Sequence, residues 1–314
     1  MAFTRVNLAL AMSAALALTA CGGGGGSSSP PKIAAPQLTT NPNAIPVSWQ
    51  SPGTTVTYAV DSSSVAIATS GLSAPNISSA GNASGVGQVT ITTDASGNLS
   101  TVAFNIPTPT TPFVQTYTAA NLQSLPSFSL SVLANAISAI LNTPNSSGFI
   151  ALGPKTVGLN YSAYGLWAQN SGGSGLFGAV GIGSQTPAAS MPQTGTATYN
   201  GQTVGAAALN DGSGSAALAG NIQLTANFAA KTVSTNISGV QVQDLSTAAV
   251  TAIPTNFAGN ATIVNNHYTG SLSGGQLSGT STGTFYGPAA QETAGTWQMT
   301  GGGMTAIGSY GAKR

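Results

Sequence analysis

The C-terminal stretch Thr280–Arg314 reads TSTGTFYGPAAQETAGTWQMTGGGMTAIGSYGAKR, and its reading decides the fold. Thr305 to Gly311 has the composition of a strand, and the cations Lys313 and Arg314 follow it. Gly295 to Thr300 is a second strand candidate. Gly279 to Tyr286 alternates small and aromatic residues and runs into a Gly287-Pro288 turn. A final strand either forms a sheet edge or closes a barrel, and closure alone removes both unpaired edges.

Upstream, the same two-residue period continues. Val157, Leu159, Tyr161, Ala163, Gly165 and Trp167 alternate with Gly158, Asn160, Ser162, Tyr164 and Leu166, and Gly175 to Gly183 follows. Thr194–Tyr199 and Gln202–Ala208 flank Asn200-Gly201, a strong hairpin signal. Ile222, Leu224, Ala226 and Phe228 alternate with Asn221, Gln223, Thr225 and Asn227. Val233 to Val242 changes phase near Gly239, as a bulge would make it do. Ala261 to Leu272 and Gln276 to Tyr286 complete the set. This spacing predicts an antiparallel β-barrel of about eight strands over residues 155–314. Its inward positions are often Gly and Ala, which fits a narrow, filled barrel better than a ligand-holding one.

Residues 47–154 read as a separate, mainly β unit. Thr54 to Val60 is β-branched and aromatic. Val86–Thr93 and Leu99–Ile106 are joined by the turn cluster Asp94-Ala95-Ser96-Gly97-Asn98. Leu130, Leu133, Ile137, Ile140 and Leu141 recur at helical spacing, which predicts one helix over Phe128–Leu141, capped by Ser127 or Ser129 and stopped by Pro144.

The N-terminus reads as a targeting segment. Arg5 supplies a positive start and Leu8 to Leu18 an apolar core, too short to span a bilayer, which needs about 20 residues. Leu18-Thr19-Ala20-Cys21 has the form of a lipobox. Cys21 is the only cysteine, and lipidation would consume a thiol otherwise left free. Residues 1–20 are therefore expected to be removed and Cys21 acylated. Each buried lipid CH₂ is worth about 0.8 kcal/mol, so several chains anchor firmly. Residues 21–46, rich in Gly, Ser and then Pro, read as a tether. By comparison with bacterial lipoproteins, Gly22 after the cysteine favours the outer membrane.

Charge narrows the function. The chain of 314 residues has Lys+Arg 6, Asp+Glu 5 and one His, so charged residues are 4%. Nucleic-acid binding needs clustered cations to neutralise phosphates, and none cluster. Hydrolytic chemistry needs paired titratable groups, which are equally scarce. Gly279-Thr280-Ser281-Thr282-Gly283 matches the nucleophile-elbow pattern. That elbow needs a strand, a sharp turn and a helix, and no helix follows. The expected class is not an enzyme. A protein-held zinc would want three or four ligands, so no metal site is expected.

Phe285-Tyr286-Gly287-Pro288-Ala289 with Glu292, then Gly295-Thr296-Trp297, then Ile307-Gly308-Ser309-Tyr310-Gly311-Ala312-Lys313-Arg314 resembles the closing strands of the transferrin-binding protein B β-barrel. The wider group includes single-lobe surface lipoproteins of the factor H binding protein type. The resemblance implies a handle-like β domain with one helix over residues 47–154, before the barrel of residues 155–314. It implies an outer-membrane lipoprotein facing the cell exterior that binds an iron- or haem-carrying host protein or a complement regulator, with a TonB-type receptor as a further partner. Family lobes are usually charged, and this one is nearly neutral. The alternative is a structural or adhesive coat lipoprotein without a defined ligand.

Four residues are singled out as ligand contacts. Trp49, Phe113 and Tyr117 are expected on irregular segments, where aromatics anchor interfaces. His267, the one imidazole, is the candidate for a haem ligand. Trp167, Trp297 and Tyr310 are expected in the core or along its seams.

Overall fold

The computed structural model describes residues 52–68, 77–96, 99–107, 113–118, 122–123, 132–133, 139–142, 148–153, 157–171, 174–210, 214–244 and 246–314. Cys21, Trp49 and the tether lie outside the described residues.

The described residues are mainly β and form two sheets of nine strands each. The first contains β1 (Thr55–Ala68), β2 (Ile77–Thr93), β3 (Leu99–Ile106), β4 (Phe113–Thr118), β5 (Leu122–Gln123), β6 (Ala139–Asn142), β7 (Gly148–Gly153), β8 (Ser162–Ser171) and β9 (Ser174–Gly183). Their order is β4-β3-β2-β1-β9-β8-β7-β6-β5. The outermost strands, β4 and β5, are joined by residues 119–121 alone. Nine strands laid flat at about 4.8 Å spacing would hold their edges roughly 38 Å apart. The connection from Thr118 to Leu122 reaches at most about 14 Å. The sheet is therefore strongly curled, and its concave side holds a core of Tyr58, Val60, Val89, Ile91, Val102, Phe104, Ile106, Phe113, Tyr117, Trp167, Val180 and Ile182.

The second sheet contains β10 (Thr196–Leu209), β11 (Ser215–Asn227), β12 (Thr232–Asp244), β13 (Val250–Ala252), β14 (Phe257–Val264), β15 (His267–Gly274), β16 (Leu277–Tyr286), β17 (Glu292–Gly301) and β18 (Met304–Lys313). Pairing of β11 with β12 joins the ends of the order and closes an eight-stranded antiparallel barrel, with the three-residue β13 beside β12. The expected bulge is present. Ala219 faces Gln241 while Asn221 faces Ser238, so β12 carries an extra residue there, and Gly239 takes φ +59°. That left-handed conformation favours glycine.

Three expectations are corrected. The helix over Phe128–Leu141 fails at its C-terminal end: Ala139–Leu141 lie in β6 and pair with Ile150–Leu152. Short apolar runs carry no decisive period, and here strand pairing prevails over the helical spacing of Ile140 and Leu141. Residues 128–131 and 134–138 lie outside the described residues.

Asn200-Gly201 is not a turn. β10 runs straight through it, with Gly201 paired to Ile222 on one side and Ala312 on the other. A Cβ on Gly201 would lie 2.0 Å from the Gly311 carbonyl oxygen. The glycine serves close strand approach rather than chain reversal.

The third correction concerns strands expected in the barrel. The alternating run ending at Trp167 and the strand Gly175–Gly183 are β8 and β9, inside the first sheet. The period-two pattern gives a strand but not the sheet it joins. These two strands pack against the outer face of β17 and β18. Both faces of those strands are consequently buried: Tyr310, Ala306, Ala312, Trp297 and Met299 point into the barrel, and Ser309 on the opposite face donates to the Gly165 carbonyl at 2.8 Å. A Cβ on Gly181 would meet the Gly295 amide nitrogen at 2.9 Å, so the two backbones are in near contact.

Candidate binding surfaces

The barrel interior is occupied by its own side chains. Tyr199, Tyr268, Phe285, Trp297, Met299 and Tyr310 are all buried there. Phe285 sits among Tyr199, Phe228 and Tyr268 at ring-centroid distances of 5.8, 5.7 and 5.2 Å. The polar tips of these rings are satisfied internally, as buried polar groups must be. Trp297 Nε1 donates to Thr203 Oγ1 at 2.7 Å, and the Tyr199 hydroxyl donates to the Ala290 carbonyl at 2.6 Å. Burial pushes the Tyr199 phenol up to about 12, with the Arg314 charge acting in the opposite direction. This filling matches the narrow barrel expected from the sequence.

Glu292 holds the junction between the two sheets. It is buried at the start of β17. Its carboxylate accepts from the backbone amide of Asn160, from that of Tyr161 at 2.9 Å and from the Ser162 hydroxyl at 2.9 Å. Burial raises the carboxyl above its ordinary range, and these donors pull it down without reversing the shift. The Thr186 hydroxyl donates to the Gly287 carbonyl at 2.6 Å, and Asn266 Nδ2 donates to the Thr186 carbonyl at 2.7 Å, so the connection between the sheets is fastened to the same end of the barrel. The sequence marked Glu292 only as part of a family resemblance. No local signal pairs it with residues 160–162.

The structure separates the residues singled out from sequence. Phe113 and Tyr117 lie on β4 with their rings buried in the first core, not on loops. Phe113 stacks on Trp167 with centroids 4.4 Å apart, and Tyr117 meets Phe104 edge-on at 5.8 Å. Alternation within a six-residue strand carries both inward, a pattern hidden by the prolines before it. The hydroxyl of Tyr117 and the indole N–H of Trp167 are buried with no hydrogen-bond partner among the described residues. His267 begins β15, half-buried, with Nδ1 2.7 Å from Thr284 Oγ1. Ser281 lies mid-strand between Gly270 and Trp297, its hydroxyl buried and without a partner among the described residues, and not in the sharp turn a nucleophile elbow requires. Trp167, Trp297 and Tyr310 are core residues, as expected. No group of three or more His, Cys, Asp or Glu is placed to hold a metal among the described residues.

The exposed walls are polar and almost uncharged. On the outer face of the first sheet Thr55, Thr92, Thr101 and Thr118 form one cross-strand row. Neighbouring hydroxyls pair there, Thr55 with Thr92 at 3.1 Å and Thr57 with Thr90 at 2.9 Å. Such cross-strand pairs stabilise a sheet without ions.

Residues 191–314 match the family model described as the C-lobe and N-lobe beta barrels of Tf-binding protein B. The C-terminal barrel is a transferrin-binding protein B-type barrel. Among solved structures, the chain is similar to the vaccine antigen transferrin-binding protein B of Haemophilus parasuis Hp5, at 14% identity over 76% of this chain and 53% of that one, with a TM-score of 0.41. It is similar to isotype 1 transferrin-binding protein B from serogroup B Neisseria meningitidis, at 15% identity over 73% and 50%, with a TM-score of 0.41. A structure described as a surface lipoprotein matches at 17% identity over 80% of this chain and 98% of that one, with a TM-score of 0.40. The chain thus spans about half the length of the two transferrin-binding protein B chains. No curated protein matches the sequence. The matched range includes the strands quoted first from the sequence.

Proposed function

We propose that the protein is an outer-membrane surface lipoprotein, acylated at Cys21, that binds a macromolecule through the loops of its first sheet and of the barrel ends. The observation that carries this reading is the filled interior of a transferrin-binding protein B-type barrel. A barrel packed with six large side chains takes its ligand on outer surfaces, and large outer surfaces suit macromolecules. The reading extends to an iron- or haem-carrying host protein or a complement regulator, the ligand classes that the family resemblance implies.

The test is binding of the chain from residue 21 onward, with Cys21→Ser, to fractionated host fluids and to haem. One soluble component bound at saturable, fixed stoichiometry supports the reading. Broad, non-saturable adhesion to many components favours the coat-protein alternative and overturns it.

A further inference from the structure

We propose that the barrel end bearing Lys231, Lys313 and Arg314 rests on an anionic lipid-headgroup surface, which fixes the orientation of the protein on its membrane. Two independent observations meet at this end.

The first is charge segregation. Among the described residues the exposed cations are Lys231, Lys313 and Arg314. Lys231 lies in the β11–β12 connection, Lys313 ends β18 and Arg314 follows it, so all three belong to one end of the barrel. Exposed Val264, at the tip of the β14–β15 connection, adds an apolar contact at the same end, beside Lys231 through the Ile263 amide bonded to the Lys231 carbonyl. The acid at this end, Glu292, is buried against Asn160, Tyr161 and Ser162. Asp244 lies at the opposite end, its carboxylate turned onto the amides of Ser246 and Thr247.

The second is where the N-terminal chain arrives. β9 runs toward the cationic end, because Gly183 pairs with Ser162, which bonds Glu292. β1 is antiparallel to β9, with Val60 opposite Ile182. Thr55 therefore projects about 17 Å further on this side, at about 3.3 Å per residue. The sequence leading back to Cys21 joins the fold on the side that carries the cations. Asp94, in the β2–β3 turn, is an exposed acid on this side, and its Oδ1 accepts from the Ser96 amide.

The docking is weak by itself. A Lys or Arg near an anionic leaflet gains about 1 kcal/mol, or roughly fivefold in partition. Attachment through Cys21 would make it intramolecular, with about thirty residues, Gly/Ser-rich at first and then richer in Pro, between the anchor and the fold. In this respect the inference rests on the anchored-lipoprotein reading. It also turns the opposite barrel end, with the β12–β14 connection, away from the membrane.

The experiment is flotation of residues 21–314 carrying Cys21→Ser with vesicles of phosphatidylcholine, alone or mixed with phosphatidylglycerol. The expected result is partition onto the anionic vesicles only, suppressed by salt because these charges are exposed. The triple variant Lys231→Gln, Lys313→Gln, Arg314→Gln should lose about fivefold per cation, with its melting temperature close to that of the parent. Ser271→Lys, added to the triple variant on the exposed barrel wall, should not restore partition. Absence of any preference for phosphatidylglycerol, undiminished partition of the triple variant, or rescue by Ser271→Lys each overturns the proposal. Failure of the anchor reading is distinguishable, since it shows as retention of the Cys21→Ser protein in cell membranes at raised salt, where the docking of exposed charges is suppressed.

Discussion

The hydroxyls of Tyr268 and Tyr310 meet at 2.7 Å inside the closed barrel, joining β15 to β18 across its interior. The Tyr310 hydroxyl donates to the Thr282 carbonyl at 3.1 Å, and the Thr293 hydroxyl donates to the Thr284 carbonyl at 2.9 Å. With both of those protons committed, Tyr268 supplies the proton shared between Tyr310 and Thr293, the latter also at 2.7 Å. A carbonyl or hydroxyl left unpaired in such a place carries its full desolvation cost.

Tyr268→Phe and Tyr310→Phe should therefore each destabilise the protein by about 1–3 kcal/mol without changing its fold. Because the two hydroxyls share one network, the double variant should cost less than the sum of the single ones. Denaturant melts of the four proteins measure this. Strict additivity would show that the hydroxyls act independently.

Glu292 gives the stability of the protein a dependence on pH. Burial sets its folded value above its unfolded value of about 4.3. A group so shifted binds its proton more tightly in the folded state. Its contribution is thus present below the unfolded value and is lost as pH rises through the folded one. Glu292→Gln should flatten stability against pH over that interval, relative to wild type. A variant with an unchanged slope would place the titration elsewhere.

Gly201 lies within a continuous strand, so Gly201→Ala should act through the neighbouring backbone. Its new Cβ would lie 2.0 Å from the Gly311 oxygen and 2.6 Å from Ala312 Cα. Overpacking of this kind costs about 1–3 kcal/mol. A hairpin at the same place would tolerate Asn200→Asp and reject most other changes there. In a strand, Asn200→Thr should be well accepted, since its side chain is exposed and its partner is Gln223. Thermal melts of the two variants separate these cases.

Much of this fold is legible in the sequence because alternation survives wherever one face of a strand is buried. Ile222, Leu224 and Ala226 read inward from the sequence and are inward. Gly239 marks its bulge by a phase change. What alternation lacks is the partner of each strand. β8 and β9 look like barrel strands, since Tyr164, Trp167 and Val180 face a core, but that core belongs to the first sheet or to the junction. Asn200-Gly201 misleads because glycine signals both a turn and a close strand approach. Phe113 and Tyr117 mislead because nearby prolines suggest a loop and hide a six-residue strand. The Glu292 contact spans 130 residues to Ser162, and nothing local announces it.

Membrane attachment through Cys21 predicts that Cys21→Ser moves the protein from the membrane to the soluble fraction. Burial of acyl chains at about 0.8 kcal/mol per CH₂ leaves no substitute of comparable strength in three surface cations. Cell fractionation at raised salt reads the outcome. A variant still wholly in the membrane fraction would sink the anchor reading.

The last strand closes the barrel, and its loss should differ in kind from the loss of its largest side chain. β18 pairs with β17 from Glu292↔Lys313 to Gly301↔Met304, and with β10 from Asn200↔Lys313 to Leu209↔Met304. Truncation after Gly303 would bare the edges of both neighbours at once. It would also uncover the part of β8 on which Ser309 and Gly311 of β18 pack. Exposed edges template pairing with other chains, and a nearly neutral surface offers little repulsion against it. Tyr310→Ala removes a ring and a hydroxyl but keeps every backbone pair, at about 3–5 kcal/mol by analogy with other large aromatic deletions. The point variant should therefore fold with a lowered melting temperature, while the truncated chain should aggregate or fail to accumulate. Size-exclusion chromatography with thermal melts distinguishes them. A soluble, monomeric truncated protein melting near wild type would mean that β10 and β17 close the ring without β18.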